Sequence, residues 1–282
     1  MEHRALLSNY LSNLKVELIT ANHSLCAPDW RELDYIPDYS KFYFICEGEG
    51  WLKIGDQEYY PQPGELFLMP EGVKQSYSFI NERPFRKYWC HFTAYAGGIN
   101  LFKLLNVNPQ CRPQQPEIVQ HIFSEMVQYA HSQEVYARLL AKSKVTELIS
   151  HYMMNLTRNA DTVSLKNEAV FHKLTMVLAY IDEHIMQNMT IEELSSILYM
   201  HPNSFIRMFK QYVGMPPIQY ITRQKIENAK QMLTMTTMPI AEIAHQLGFN
   251  DTFYFSKQFK KYTGLAPSDY RKYVQEQSWV ME

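Results

Sequence analysis

At 282 residues, with 46% hydrophobic and 14% aromatic content, the chain is long enough for two folded domains and too apolar for a disordered one. Its formal net charge of −2 marks it neither as a bulk polyelectrolyte binder nor as an acidic tail protein. Four cysteines at positions 26, 46, 90 and 111 lack C-x-x-C spacing, and no apolar run approaches about 18 residues, so a zinc module, a signal peptide and a membrane span are not expected. A cytoplasmic chain with reduced thiols is the expectation.

From Ser40 to Phe92 short β-rich runs alternate with Gly and Pro corners. Runs at Phe42 to Cys46, Trp51 to Ile54, Glu58 to Tyr60, Glu65 to Met69 and Gln75 to Phe79 are separated by Gly48, Gly50, Gly55-Asp56, Pro63-Gly64 and Pro70-Glu71-Gly72. Even spacing of this kind predicts a small antiparallel barrel or jelly roll. The string PGELFLMPEGVKQSY resembles the second conserved block of cupin barrels, and with WCHF at Trp89 to Phe92 it is similar to the sensor domain found ahead of AraC-type helix pairs. Metal-binding cupins use an H-x-H pair with a carboxylate and a later His. The corresponding stretch here, KFYFICEGEG, has no His, and the later position is Gln75, so neither a metal nor any other cofactor is expected.

A barrel that binds an organic ligand needs aromatic walls and a few convergent polar groups. Arg31, Tyr43, Tyr77, Trp89 and His91 are the candidate ligand residues: rings to stack on a sugar, with Arg and His to bond its hydroxyls. Any one of them taken alone fits a packed core better than a ligand site; it is as a group that they suggest a pocket.

Two helical segments follow, Glu117 to His131 and Gln133 to Leu156. The stripes Ile118, Ile122, Met126, Tyr129 and Val135, Leu139, Val145, Leu148, Ile149, Tyr152 suit packing on the barrel and on a partner. Residues 1–156 are thus expected to form the sensing and dimerisation domain. Residues 157–168, polar and without apolar periodicity, are expected to be a linker, with residues 169–282 as a second domain.

The last third repeats itself. TIEELSSILYMHPNSFIRMFKQYVGMPPIQY from Thr190 matches PIAEIAHQLGFNDTFYFSKQFKKYTGLAPSDY from Pro239. Ile191, Leu194 and Leu198 fall 49 residues before Ile240, Ile243 and Leu247, and Phe205, Phe209, Lys210, Gly214, Pro217 and Tyr220 fall 50 before their counterparts. Each copy reads as two short helices and a tight corner, with a capping box at Thr190 and Glu193, a cap at Asp251, a corner at Gly248 and stops at Gly214 and Gly264. A helix that buries one side and offers Arg, Lys, Ser and Asn on the other suits a major groove. Charge agrees: residues 1–168 carry 16 Lys and Arg against 19 acids, or −3, whereas residues 169–275 carry 11 against 8, or +3. The excess is modest, so where the cations sit matters more than their number.

The region from Val170 to Val274, with its strings IAHQLGF and FSKQFKKYTGLAPSDYR, is similar to the DNA-binding domain of the AraC/XylS family of bacterial transcription regulators. The resemblance implies an α+β protein of two domains, a cupin-like barrel with dimerisation helices and an all-α domain with two helix-turn-helix units. It also implies base contacts from Asn203, Ser204, Ile206 and Arg207, then Phe253, Tyr254, Ser256 and Lys257. Lys210 and Lys260 are candidates for the same face; Arg207 suits a bidentate contact to a guanine edge, whereas Lys257 and Lys260 have phosphates as their expected targets. Ile206 and Phe253 are apolar where polar residues are expected; they meet thymine methyls, the sugar-phosphate edge, or the domain itself. Expected partners are double-stranded DNA, a carbohydrate effector, a second copy of the chain and RNA polymerase, without a membrane and without enzymatic chemistry. The expected role is an activator of carbohydrate-utilisation genes. The rivals are a metal-dependent cupin enzyme with a helical appendage and a constitutive DNA-binding regulator with no effector.

Overall fold

In the computed structural model, residues 7–8, 10–27, 29–159 and 165–279 are described. They fall into two units, Met1–Asn167 and Glu168–Glu282.

The first unit holds β1 (Lys15–Leu25), β2 (Arg31–Tyr35), β3 (Ser40–Glu47), β4 (Gly50–Ile54), β5 (Gln57–Tyr59), β6 (Leu66–Met69), β7 (Gln75–Phe79), β8 (Arg86–Ala96) and β9 (Ile99–Asn100). These are followed by α1 (Leu101–Leu104), β10 (Gln110–Cys111), α2 (Pro116–Ala130) and α3 (Ala137–Asn159). One antiparallel sheet runs β1-β8-β3-β6-β10, with β9 beside β8, and a second runs β2-β7-β4-β5.

Strand β3 is buried from Ser40 to Ile45 because both of its faces are covered. Period-two alternation sends Tyr43 and Ile45 into a cluster with Leu52 and Ile54 of the second sheet. The other face sends Phe42 and Phe44 to the helices, where Phe42 lies 5.5 Å from Tyr152 and Phe44 lies 6.3 Å from Phe123, ring centre to ring centre. Each fully buried ring contributes on the order of 1.5–3 kcal/mol, so the first sheet is held from two sides. A ring 5.0 Å away, Phe92 of β8, stacks on Phe42 and continues the helix-facing layer.

Strands β1 and β2 lie ahead of Ser40, where the sequence offers little strand signal. Among the eleven residues of β1 only Val16 and Ala21 are fully buried; the strand is held by its long antiparallel register with β8, Lys15 opposite Tyr95 through Leu25 opposite Arg86. Nonlocal pairing overrides a weak local pattern here. The second helix starts later than the expected Gln133, and part of each stripe stays exposed. Helix α3 starts at Ala137, leaving Val135 99% exposed, and Leu139 is 71% exposed. The faces that pack are Val119, Ile122, Phe123 and Met126 on α2, and Ala141, Val145, Leu148, Ile149 and Tyr152 on α3.

The expected linker is structured at its described ends. Helix α3 runs on to Asn159, Leu165 bridges Leu105, and the Lys166 amide donates to the Leu104 carbonyl at 2.7 Å. Residues 160–164 lie outside the described residues.

The second unit is all helix: α4 (Glu168–Glu183), α5 (Ile191–Ile197), α6 (Pro202–Val213), α7 (Pro217–Met235), α8 (Ile240–Gln246), α9 (Thr252–Thr263) and α10 (Pro267–Trp279). The repeat read in the sequence is a repeat of packing. Phe205, Phe209 and Tyr220 form a chain of rings at 5.7 and 5.6 Å, and Phe255, Phe259 and Tyr270 form the same chain at 5.8 and 5.4 Å. Arg271, next to that last ring, donates from Nη2 to the Met238 carbonyl at 2.6 Å and so anchors the chain entering α8.

Candidate functional site

Each helix pair is built from its caps outward. Thr190 Oγ1 accepts from the Glu193 amide at 3.1 Å while the Glu193 carboxylate, 3.4 Å from the Thr190 amide, returns the bond and also accepts from Tyr180 Oη at 2.6 Å. This satisfies two amides that would otherwise have no helical partner. Helix α6 then starts at Pro202 with His201 Nδ1 accepting from Asn203, and α9 starts with the Asp251 carboxylate accepting from Phe253 and Tyr254, both at 3.0 Å. Gly214 and Gly264, at φ +88° and +81°, end the two helices in the left-handed region that a residue without Cβ enters freely.

On α6 the side chains Phe205, Met208, Phe209 and Val213 turn inward, leaving Asn203, Arg207 and Lys210 exposed with Ser204 and Ile206 half-buried beside them. On α9 Phe255 and Phe259 turn inward, and Phe253, Tyr254, Lys257 and Lys260 are exposed with Ser256 half-buried. All ten residues singled out from the sequence therefore stand off the packed faces. Phe253 is 77% exposed, which removes packing within the domain from its readings. The Ser256 hydroxyl donates to the Thr252 carbonyl at 2.9 Å, so it faces a ligand as an acceptor.

The interior between the two sheets is a second site. Trp30 stacks on Tyr77 at 4.4 Å, Tyr43 is 4% exposed, and His91 lies between Tyr39 at 4.6 Å and Trp89 at 4.9 Å. Trp89 Nε1 donates to Ser24 Oγ at 2.9 Å and Tyr77 Oη to the Glu32 carboxylate at 2.8 Å. Among the sequence candidates, Tyr43, Tyr77, Trp89 and His91 meet here. Arg31 does not: it stands exposed on β2 opposite Ser78, outside the aromatic cluster.

Two cations absent from the sequence reading take its place. Lys41 and Lys87, 2% and 3% exposed, point inward because they share alternation with Tyr43 on β3 and with Trp89 and His91 on β8. Lys87 Nζ sits 4.0 Å from the Trp30 ring centre and 2.8 Å from Cys26 Sγ. Lys41 Nζ sits 4.3 Å from the Tyr35 ring centre. Burial pushes the Lys41 ammonium down to about 8, against an opposing pull from Glu32. Burial, then the Lys41 and Lys87 charges, push His91 down to about 4. The signal that points to both lysines is their i, i+2 spacing from aromatic residues, Lys41 from Tyr43 and Lys87 from Trp89, in strands flanked by apolar residues on both faces.

No three His, Cys, Asp or Glu side chains among the described residues gather as metal ligands, and no described helix is long and apolar enough to cross a membrane.

The family described as the AraC-like ligand binding domain matches residues 23–174, more than half of the chain. The chain belongs to the AraC/XylS family. A helix-turn-helix domain matches residues 194–273, from within α5 of the first helix pair through the whole of the second. The chain is 25% identical over 255 residues to the raffinose operon transcriptional regulatory protein RafR of Pediococcus pentosaceus, covering 88% of this chain and 91% of that one. It is 26% identical to the arabinose operon regulatory protein of Escherichia coli (79% of this chain, 77% of that one) and 23% identical to the lactose operon transcription activator of Staphylococcus xylosus (82% and 83%). Like other members of the family, it is a DNA-binding transcription regulator with a ligand domain ahead of two helix-turn-helix motifs.

Proposed function

We propose that this regulator activates carbohydrate-utilisation genes in the cytoplasm, with a sugar held between the two sheets and no chemistry of its own. The observation that carries this is the aromatic interior of Trp30, Tyr43, Tyr77 and Trp89, whose ring faces suit the apolar faces of a pyranose. The raffinose, arabinose and lactose operon regulators among its relatives support the same reading.

On DNA, the α6 and α9 faces enter successive major grooves about 34 Å apart, and a homodimer spans two such half-sites. The half-exposed Ile118 and the exposed Leu139 supply apolar surface for the partner copy. Sugar changes DNA binding only by binding one arrangement of the dimer better than another, and the activated arrangement then meets RNA polymerase.

The test is retention of sheared genomic DNA on the purified protein, with and without a mixed sugar extract. A few enriched fragments bearing a repeated half-site, with sugar altering the enrichment, are expected. Enrichment indifferent to sugar would leave a constitutive regulator, and no enrichment would end the operator reading.

A further inference from the structure

The interior of the barrel carries positive charge that the fold itself does not match. Buried ammonium groups are costly unless they are paired, and the second unit shows the usual solution: Lys225, 5% exposed, donates to the Gln187 carbonyl at 2.9 Å. Lys41 has no such partner. Among the described residues no hydrogen bond or ion pair reaches its Nζ, which meets only the faces of Tyr35, Tyr77 and Tyr39 at 4.3, 5.3 and 5.6 Å. Lys87 has the Cys26 sulfur and the faces of Trp30 and Tyr43.

The groups facing Lys41 are Glu32 and Tyr35 from β2, Tyr39 just ahead of β3, Tyr77 from β7, and Lys87 and His91 from β8. Glu32 is the one carboxylate among them; it is exposed and already accepts from Tyr77. The buried carboxylates of the unit are engaged elsewhere, Glu65 with Gln110 and Arg112, and Glu71 with Tyr95 and Asn100. Two inward cations and a ring-lined wall thus lack an anion, and charge-assisted bonds are roughly twice as strong as the neutral ones a sugar hydroxyl makes.

We propose that the barrel takes a ring compound bearing a carboxylate, an acidic saccharide of the uronic acid type, with Lys41 and Lys87 holding the carboxylate and the aromatic rings stacking on the ring face. As a statement about a sugar, this rests on the function proposed above; as a statement about charge, it rests on the two lysines alone.

Calorimetric titration of the full chain tests it with D-galacturonate and D-glucuronate, their neutral parents galactose and glucose, and benzoate as a carboxylate that is not a sugar. The uronates are expected to bind at least about tenfold more tightly than the parents, and Lys41→Met or Lys87→Met to remove that advantage. Uronate affinity is also expected to fall as pH rises through about 8, where Lys41 loses its proton in the empty site. Without ligand, Lys41→Met is expected to melt no lower than the native chain, because an unpaired buried charge is removed; a purely structural lysine would lower the melting temperature.

Heat from neutral sugars equal to that from uronates, or uronate binding unchanged in both variants, overturns the acidic ligand and leaves the sugar sensor standing. Heat from benzoate alone keeps the carboxylate and overturns the sugar. Silence from every probe overturns both.

Discussion

The two helix pairs share one architecture and are secured by different chemistry. The corner of the first is Tyr199, held at φ +52° with its side chain 98% exposed; the corner of the second is Gly248 at φ +68°. A Cβ at Gly248 would lie 2.7 Å from the Met186 carbonyl oxygen and 2.9 Å from Lys225 Nζ. The first corner has space for a side chain and carries backbone strain, while the second has neither space nor strain. Their outward faces differ as well: α6 offers Asn203, Arg207 and Lys210, and α9 offers two aromatic rings followed by lysines. The two copies share the packing of the rings and differ at the corners and on the outward faces.

Gly248→Ala should break the comparison most severely. Positive φ alone costs on the order of 1–2 kcal/mol for a residue with Cβ, and the backbone carbonyl of Met186 adds to it, so thermal unfolding of the second unit should move down by several degrees. An unchanged melting temperature would show that the loop of Met186 gives way. Next comes Arg207→Ala, expected to lose roughly 1–3 kcal/mol of preference for the cognate site, whereas Lys260→Ala should weaken all DNA alike and reduce the salt slope by about one unit. Parallel losses on specific and random DNA in both variants would refute the division of labour between Arg207 and Lys260. Asp251→Ala removes a carboxylate that caps two amides of α9 and should destabilise the unit by about 1 kcal/mol, seen by denaturant titration. The smallest effect is a gain: Tyr199→Gly should relieve the first corner by a few tenths of a kcal/mol, up to about 1, after the extra chain entropy of Gly is offset. Loss of stability there would mean that Tyr199 is held by more than its backbone.

The helical unit was legible because its determinants are local. Caps, Gly stops and the ring triplet Phe205, Phe209, Tyr220 all sit within one or two turns of the helices they shape, and the second copy repeats them. The barrel was legible only as a barrel. Which residues face its interior depends on registers between distant strands, Lys41 opposite His91 and Ile45 opposite Lys87, and a lysine in a strand reads as solvent-facing until both sides are known to be covered. Arg31 has a guanidinium suited to a ligand, yet it lies on β2, whose first four residues are all exposed. The position of Arg31 follows from the pairing of β2 with β7, where it stands opposite Ser78, and not from its chemistry.

Lys225 reaches from α7 to the Gln187 carbonyl, and Asn188 bonds Asn250 at 3.0 Å, so the loop leading into the first helix pair is fastened against the corner of the second. The two helix pairs are therefore tied by side-chain bonds as well as by α7, and if both faces contact DNA as proposed, the length of duplex between their contact boxes becomes part of what the protein recognises. One inserted base pair turns one box by about 35° around the duplex axis relative to the other. With a stiff coupling that error cannot be absorbed by the protein; it must be taken up by twisting the DNA, which makes spacing as much a part of the address as sequence.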